Sequence, residues 1–145
     1  MNKFIIVFLV SFASIFSQST IVINEIVSSN SVFLDEDNET PDWIEIFNAS
    51  EITVNLLNYS LSDNEDNPRK WLFPDITIGP NEYLVVFASG KERYGPELHT
   101  DFSIKADGEI LILTNSDEQI IDQVEPTEII SDYSLGRSLT NISEW

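Results

Sequence analysis

From Thr20 onward, no stretch of useful length carries the 3.6-residue apolar period of a helix. Short β-rich runs alternate with turn clusters instead. Ile21 to Val27 is the first run. Trp43 to Phe47 is the second, with Ile44 and Ile46 on one side and Trp43, Glu45 and Phe47 on the other. Ile52, Val54 and Leu56 alternate with polar residues, and so do Leu57, Tyr59 and Leu61. Trp71 to Phe73 is stopped by Pro74, and Tyr83 to Ala88 is apolar on both faces, as expected of a central strand. Phe102 to Ile104 is a further short candidate, and Ile110 to Leu113 with Ile120 to Val124 reads as a hairpin pair. Gly79-Pro80-Asn81, Ser89-Gly90-Lys91, Asp107-Gly108 and Asn115-Ser116-Asp117-Glu118 supply the turns. About eight or nine strands at intervals of roughly 8–12 residues predict an all-β sandwich or small barrel. Two connections, Ser28 to Pro41 and Gly90 to Thr100, are too long for tight turns. Long loops on a rigid β scaffold are where binding usually sits.

Composition narrows the chemistry. The 145 residues include 25 acidic side chains against 7 basic ones, for a net charge of −18, with one histidine and no cysteine. Disulfide frameworks and cysteine-based zinc sites are therefore excluded, and so are paired-histidine metal sites. Nucleic acid is excluded as a partner, because phosphate binding needs clustered Lys and Arg. Disorder throughout does not fit, since 42% of the residues are apolar and come in patterned runs.

The N-terminus has a separate logic. Lys3 supplies a short positive start, Phe4 to Phe16 form an apolar run broken only by Ser11 and Ser14, and the small residue Ser17 precedes Gln18. This is the layout of a secretory signal peptide over residues 1–17, with cleavage expected between Ser17 and Gln18. Read as a membrane anchor instead, a run of about 13 residues would cover roughly 20 Å as a helix, short of a hydrocarbon core of ~30 Å. One domain over residues 18–145 is the expectation, with no transmembrane span once the signal is removed.

The ordered motifs of this domain resemble a known family. Ile23-Asn24-Glu25-Ile26, Ser29-Asn30, Asp35-Glu36-Asp37 and Pro41-Asp42-Trp43-Ile44-Glu45-Ile46-Phe47-Asn48 are similar to the start of bacterial lamin-tail domains. Leu57-Asn58-Tyr59-Ser60-Leu61-Ser62-Asp63, Lys70-Trp71-Leu72-Phe73-Pro74 and Tyr83-Leu84-Val85-Val86-Phe87-Ala88-Ser89-Gly90 continue the resemblance. Leu98-His99-Thr100-Asp101-Phe102 and Ser134-Leu135-Gly136-Arg137 complete it, over about Ile21 to Arg137. The resemblance implies an immunoglobulin-like two-sheet β-sandwich that serves as an interaction or attachment module, with no catalytic residues to carry over. It also implies a chain continuing past the Gly-Arg motif into a Trp-containing strand. With Trp145 as the last residue, the expectation is a last edge strand cut short, in a truncated product or a fragment of a larger multidomain protein.

Candidate sites are few. Asp35, Glu36, Asp37, Asn38, Glu39 and Asp42 crowd one loop. Five of these residues (Asp35, Asp37, Asn38, Glu39 and Asp42) form a candidate Ca²⁺ ligand set, since Ca²⁺ takes six to eight oxygen ligands. The EF-hand pattern fails, because Thr40 stands where its glycine would be and Ile46 where its bidentate Glu would be. A solvated acidic loop is the favoured reading. Asp63, Glu65, Asp66 and Asn67, closed by Pro68, read as an Asx-type turn. Trp43, Trp71, Phe73, Tyr59, Tyr83 and Phe87 read mainly as core and sheet-face residues, with Trp71 the first candidate for an exposed stacking platform. His99 beside Asp101 and Ser103 lacks an oxyanion hole or nucleophile elbow and reads as a structural histidine. Arg137 reads as a partner for some of the many carboxylates.

The sequence therefore predicts an exported, non-catalytic module that is secreted or at the cell surface. Its expected partner is a protein or a cell-surface glycan, and no cofactor is called for. Two alternatives are a calcium-dependent adhesive or structural sandwich and an accessory domain of a secreted enzyme.

Overall fold

A computed structural model describes residues 21–138 and 140–145. The expected signal peptide lies outside the described residues. Twelve strands and no helix occur among the described residues. They are β1 (Ile21–Val27), β2 (Asp42–Asn48), β3 (Val54–Asn55), β4 (Ser60–Ser62), β5 (Trp71–Leu72) and β6 (Thr77–Ile78). The remainder are β7 (Tyr83–Ala88), β8 (Arg93–Tyr94), β9 (Leu98–His99), β10 (Leu111–Thr114), β11 (Ile120–Val124) and β12 (Leu135–Gly136). The count exceeds eight or nine because several ladders are only two residues long.

One sheet has the order β12-β1-β2-β7-β9-β8, the second β11-β10-β4-β5, and β3 pairs with β6 in a small ribbon. All pairs are antiparallel except β7 with β9. Period-two alternation decides which side chains meet. Ile23 and Ile26 of β1, Ile44 and Ile46 of β2 and Val86 of β7 face Leu61, Trp71, Leu111 and Leu113 of the second sheet in one core. This is the all-β, immunoglobulin-like sandwich that the alternation and the resemblance imply.

Two expectations and one alternative are corrected. Leu57 to Ser62 does not run as one strand. Asn55 Oδ1 accepts the Leu57 N–H at 2.8 Å, and Asn58 adopts a left-handed φ of 66°. That Asx turn reverses the chain, and only Ser60–Ser62 ladders. Phe102 to Ile104 forms no ladder. The buried Phe102 and Ile104 are anchored irregularly, with Ile104 N–H donating to Asp42 Oδ2 at 3.2 Å, while Leu98–His99 takes the place beside β7. Trp71 is no surface platform. It is 1% exposed, set edge-on to Phe73 at 4.8 Å and stacked on Tyr94 at 5.7 Å.

Candidate functional site

The two long connections meet at one end of the six-stranded sheet. Asn30 shapes the first: its Oδ1 accepts the Val32 and Phe33 N–H groups, and its Nδ2 donates to the carbonyls of Phe33 and Pro41. Phe33 then stacks on Phe87 at 5.5 Å and meets Trp43 edge-on at 6.0 Å. This lays the acidic segment over β8 and β9. Asp35 organises the tip by accepting the N–H groups of Asp37 at 3.0 Å and Glu39 at 2.9 Å, while Asn38 turns the chain with a φ of 62°.

Basic residues of the second connection fasten this loop. Lys91 Nζ lies 2.6 Å from Asp35, 2.9 Å from Asp37 and 2.9 Å from Glu39. Arg93 pairs with Glu36 at 2.6 Å and Asp37 at 2.8 Å. Glu97 accepts the Glu36 N–H at 2.7 Å. His99 is fully buried, stacked on Phe87 at 5.2 Å, with Nδ1 2.9 Å from Ser89 Oγ and Nε2 2.9 Å from Glu36.

The electrostatics follow from these contacts. Burial pushes the Asp35 carboxyl up, but Lys91 and the two backbone N–H groups outweigh it and hold the group below the usual carboxylate range. Glu36 is also held low, by Glu97 first and then by His99 and Arg93. Glu97 is pushed up because its carboxyl faces that of Glu36. Asp37 is held low by Arg93 and Lys91.

Three of the five residues singled out for Ca²⁺ come together. Asp35, Asp37 and Glu39 have ligand atoms within 4.8 Å of one another. The Lys91 ammonium is bonded to all three and holds the position between them. Asp35, Glu36 and His99 form an overlapping group of the same compactness. Asn38 contributes the turn. Asp42 stands apart at the start of β2, bonded to the Ile104 N–H, and burial raises its carboxyl above the ordinary value.

Ser89, His99 and Glu36 form a file of hydroxyl, imidazole and carboxylate. A nucleophile of that type needs an accessible hydroxyl and donors aimed at a developing oxyanion. Here the imidazole is enclosed under Phe87, and Ser89 Oγ also accepts the Lys91 N–H at 3.2 Å. The ring nitrogens of His99 bond Ser89 and Glu36 rather than Asp101 or Ser103.

The second acidic loop is local. Asn64 Oδ1 accepts the Asp66 N–H at 2.9 Å, Ser62 Oγ donates to Asn67 O at 2.7 Å, and Lys70 pairs with Asp63 at 2.7 Å. Arg137 is anchored at the opposite border of the sandwich. It binds both oxygens of Asp122 at 2.6 Å, donates to the carbonyls of Ile23 and Ile142, and lies 4.3 Å from the Trp145 ring. Asp122 Oδ2 in turn accepts the Ile23 N–H at 2.7 Å. This pair serves Ile23 on the outer edge of β1, next to the two residues, Glu25 and Ile26, that β12 pairs. A cleft of about 400 Å³ opens beside it, lined by Val22, Ile121, Ile142 and Trp145 among others.

Sequence reasoning singled out both long connections but not Ser89, Lys91 and Arg93 as the fastening residues. The available signal was complementary charge, with Lys91 and Arg93 in one connection and the acidic run in the other.

A family model described as Lamin Tail Domain matches residues 15–128. No curated protein matches the chain.

Proposed function

We propose, from the premise that this chain belongs to the lamin-tail domain family, that it works as an exported, non-catalytic interaction module. That family consists of non-catalytic immunoglobulin-like domains. One observation carries the reading: the hydroxyl–imidazole–carboxylate file of the site and the two basic residues beside it are engaged with one another. His99 is buried between Ser89 and Glu36, and Lys91 and Arg93 are bonded to the acidic loop. Such contacts rigidify a scaffold and offer no open reaction centre. Export is supported by Lys3, the apolar run Phe4 to Phe16 and the small residue Ser17. No helix among the described residues is long and apolar enough to cross a membrane.

Expression of the whole chain in a bacterial host tests the reading. The expected product is extracellular, begins at Gln18 by mass spectrometry, and retains a saturable ligand from the cell surface. Intact Met1 in the cell pellet would refute export. Turnover abolished by a point substitution at Ser89 or His99 would refute the non-catalytic role.

A further inference from the structure

The outer face of the six-stranded sheet is unusual for a solvent-facing surface. Directly opposed residues share a face, so the register sorts the side chains into rows. Ile23 with Ile46, and Ile26 with Ile44 and Val86, point into the core. The outer rows are Val22–Phe47–Tyr83, Glu25–Glu45–Val85 and Val27–Trp43–Phe87. The acidic loop covers the third row through Phe33. Ile142 and Trp145 line a cleft with Val22 at the far side.

Between these covers lie Phe47, Tyr83, Glu25, Glu45 and Val85, all outside the core cluster. Phe47 and Tyr83 stack at 4.5 Å, and Tyr83 is 52% exposed. Glu25 and Glu45 are direct cross-strand neighbours of like charge. Asn24, the extra residue of a bulge in β1, donates to Glu45 at 2.7 Å. No basic side chain among the described residues forms an ion pair with either carboxylate. Arg69, Lys70, Lys91, Arg93, Lys105 and Arg137 all pair elsewhere. Among the described residues, the centre of the face is thus two carboxylates without an ion-pair partner beside an aromatic pair.

Building on the interaction-module reading, we infer that the face formed by Glu25, Glu45, Phe47, Tyr83 and Val85 docks a protein segment that carries arginine or lysine next to apolar side chains. Charge complementarity selects this occupant. The cationic head meets the facing carboxylates, and its aliphatic stem lies along Val85 and the Phe47–Tyr83 pair. Arginine fits better than lysine, because its planar fork reaches two carboxylates and stacks on rings. A second copy of this chain would bring its own Glu25–Glu45 pair and a net charge of −18 against the same surface.

The test titrates the whole isotope-labelled chain with a short end-capped peptide alternating arginine with valine, at physiological ionic strength. Its glutamate-for-arginine counterpart and neutral cello- and chito-oligosaccharides are run in parallel. Amide shift changes confined to β1, β2 and β7 are expected for the arginine peptide alone. Glu25→Gln with Glu45→Gln should weaken binding by about tenfold or more. The charge-matched change Glu65→Gln with Asp66→Asn, on an exposed loop, should weaken it by less than about twofold. Tyr83→Ser should also weaken binding, and circular dichroism melts establish that each variant is folded.

Equal weakening by both charge pairs would reduce the effect to overall charge and overturn the inference. No binding, binding of the oligosaccharide alone, or dimerisation through this face would overturn it as well. Retention of a natural ligand that is unaffected by the face variants would overturn the docking surface while leaving the interaction-module reading standing.

Discussion

Replacing Arg137 with methionine tests the anchor at the β1 border. Methionine retains much of the apolar stem but removes the guanidinium. Asp122 then loses its bidentate partner, and the Ile23 and Ile142 carbonyls lose a donor. The side chains of Arg137 and Asp122 are 5% and 13% exposed, so the pair is largely shielded from water. Removing one member of such a pair costs about 3–5 kcal/mol. For a domain of this size that corresponds to a Tm drop of roughly 10–20 °C. The loss should depend on pH. Burial already raises the Asp122 carboxyl above 3.8, against the opposing pull of Arg137. Without that pull it rises further. A group with a raised folded pKa binds its proton more tightly when folded, so stability is regained as pH falls through that value. The melting deficit of Arg137→Met should therefore be smaller at pH 5 than at pH 7.5. Combining it with Asp122→Asn should cost less than the sum of the two single changes. A deficit below about 1 kcal/mol, or one equal at both pH values, would show that the pair behaves as an ordinary surface contact.

Other outcomes follow from the same contacts. Lys91→Met should release the acidic loop, and limited proteolysis should cut between residues 31 and 40 faster than in the parent chain; an unchanged rate would mean that Lys91 does not fasten it. Glu45→Gln should stabilise the free chain by about 0.5 kcal/mol at pH 7, by relieving a like-charge cross-strand pair. Burial and Glu25 both raise the Glu45 carboxyl, so the gain should fade toward pH 4 in thermal melts, where the native group is protonated. Gly108→Ala should destabilise by more than about 1 kcal/mol in denaturant melts, because φ is +93° and an added Cβ would lie 2.6 Å from Thr127 N.

The long strands were legible because each states its face twice, once through alternation and once through length. β1 spans Ile21–Val27 as the run predicted, and β2 and β7 centre on Trp43 to Phe47 and Tyr83 to Ala88. The segment from Ile52 to Ser62 misled because its alternation crosses a turn, where Asn55 and Asn58 override the periodic pattern. Trp71 is core, as its favoured reading had it; the exposed-platform alternative drew on Arg69 and Lys70 beside it, whose side chains reach Glu118 and Asp63 and leave the indole inside.

The candidate site was half legible. Loop length marked both connections. Their union was not readable, because Asp35 and Lys91 are 56 positions apart and Glu36 and His99 are 63 apart. Local patterns carry no register for such pairs. The outer face was similarly hidden, since Glu25 and Glu45 become neighbours only through a bulge that inserts Asn24.

The carboxylates of the acidic loop fasten one connection to the other. Carbon-13 titration of the Asp35, Glu36 and Asp37 carboxyl groups in the intact chain measures this directly. All three should titrate below 3.8, 4.5 and 3.8, their respective ordinary values, so the stability they lend is complete above about pH 5 and lost only as pH falls through the depressed values. Titration at the ordinary values, unchanged by Lys91→Met, would show a loop free in solvent and contradict the account.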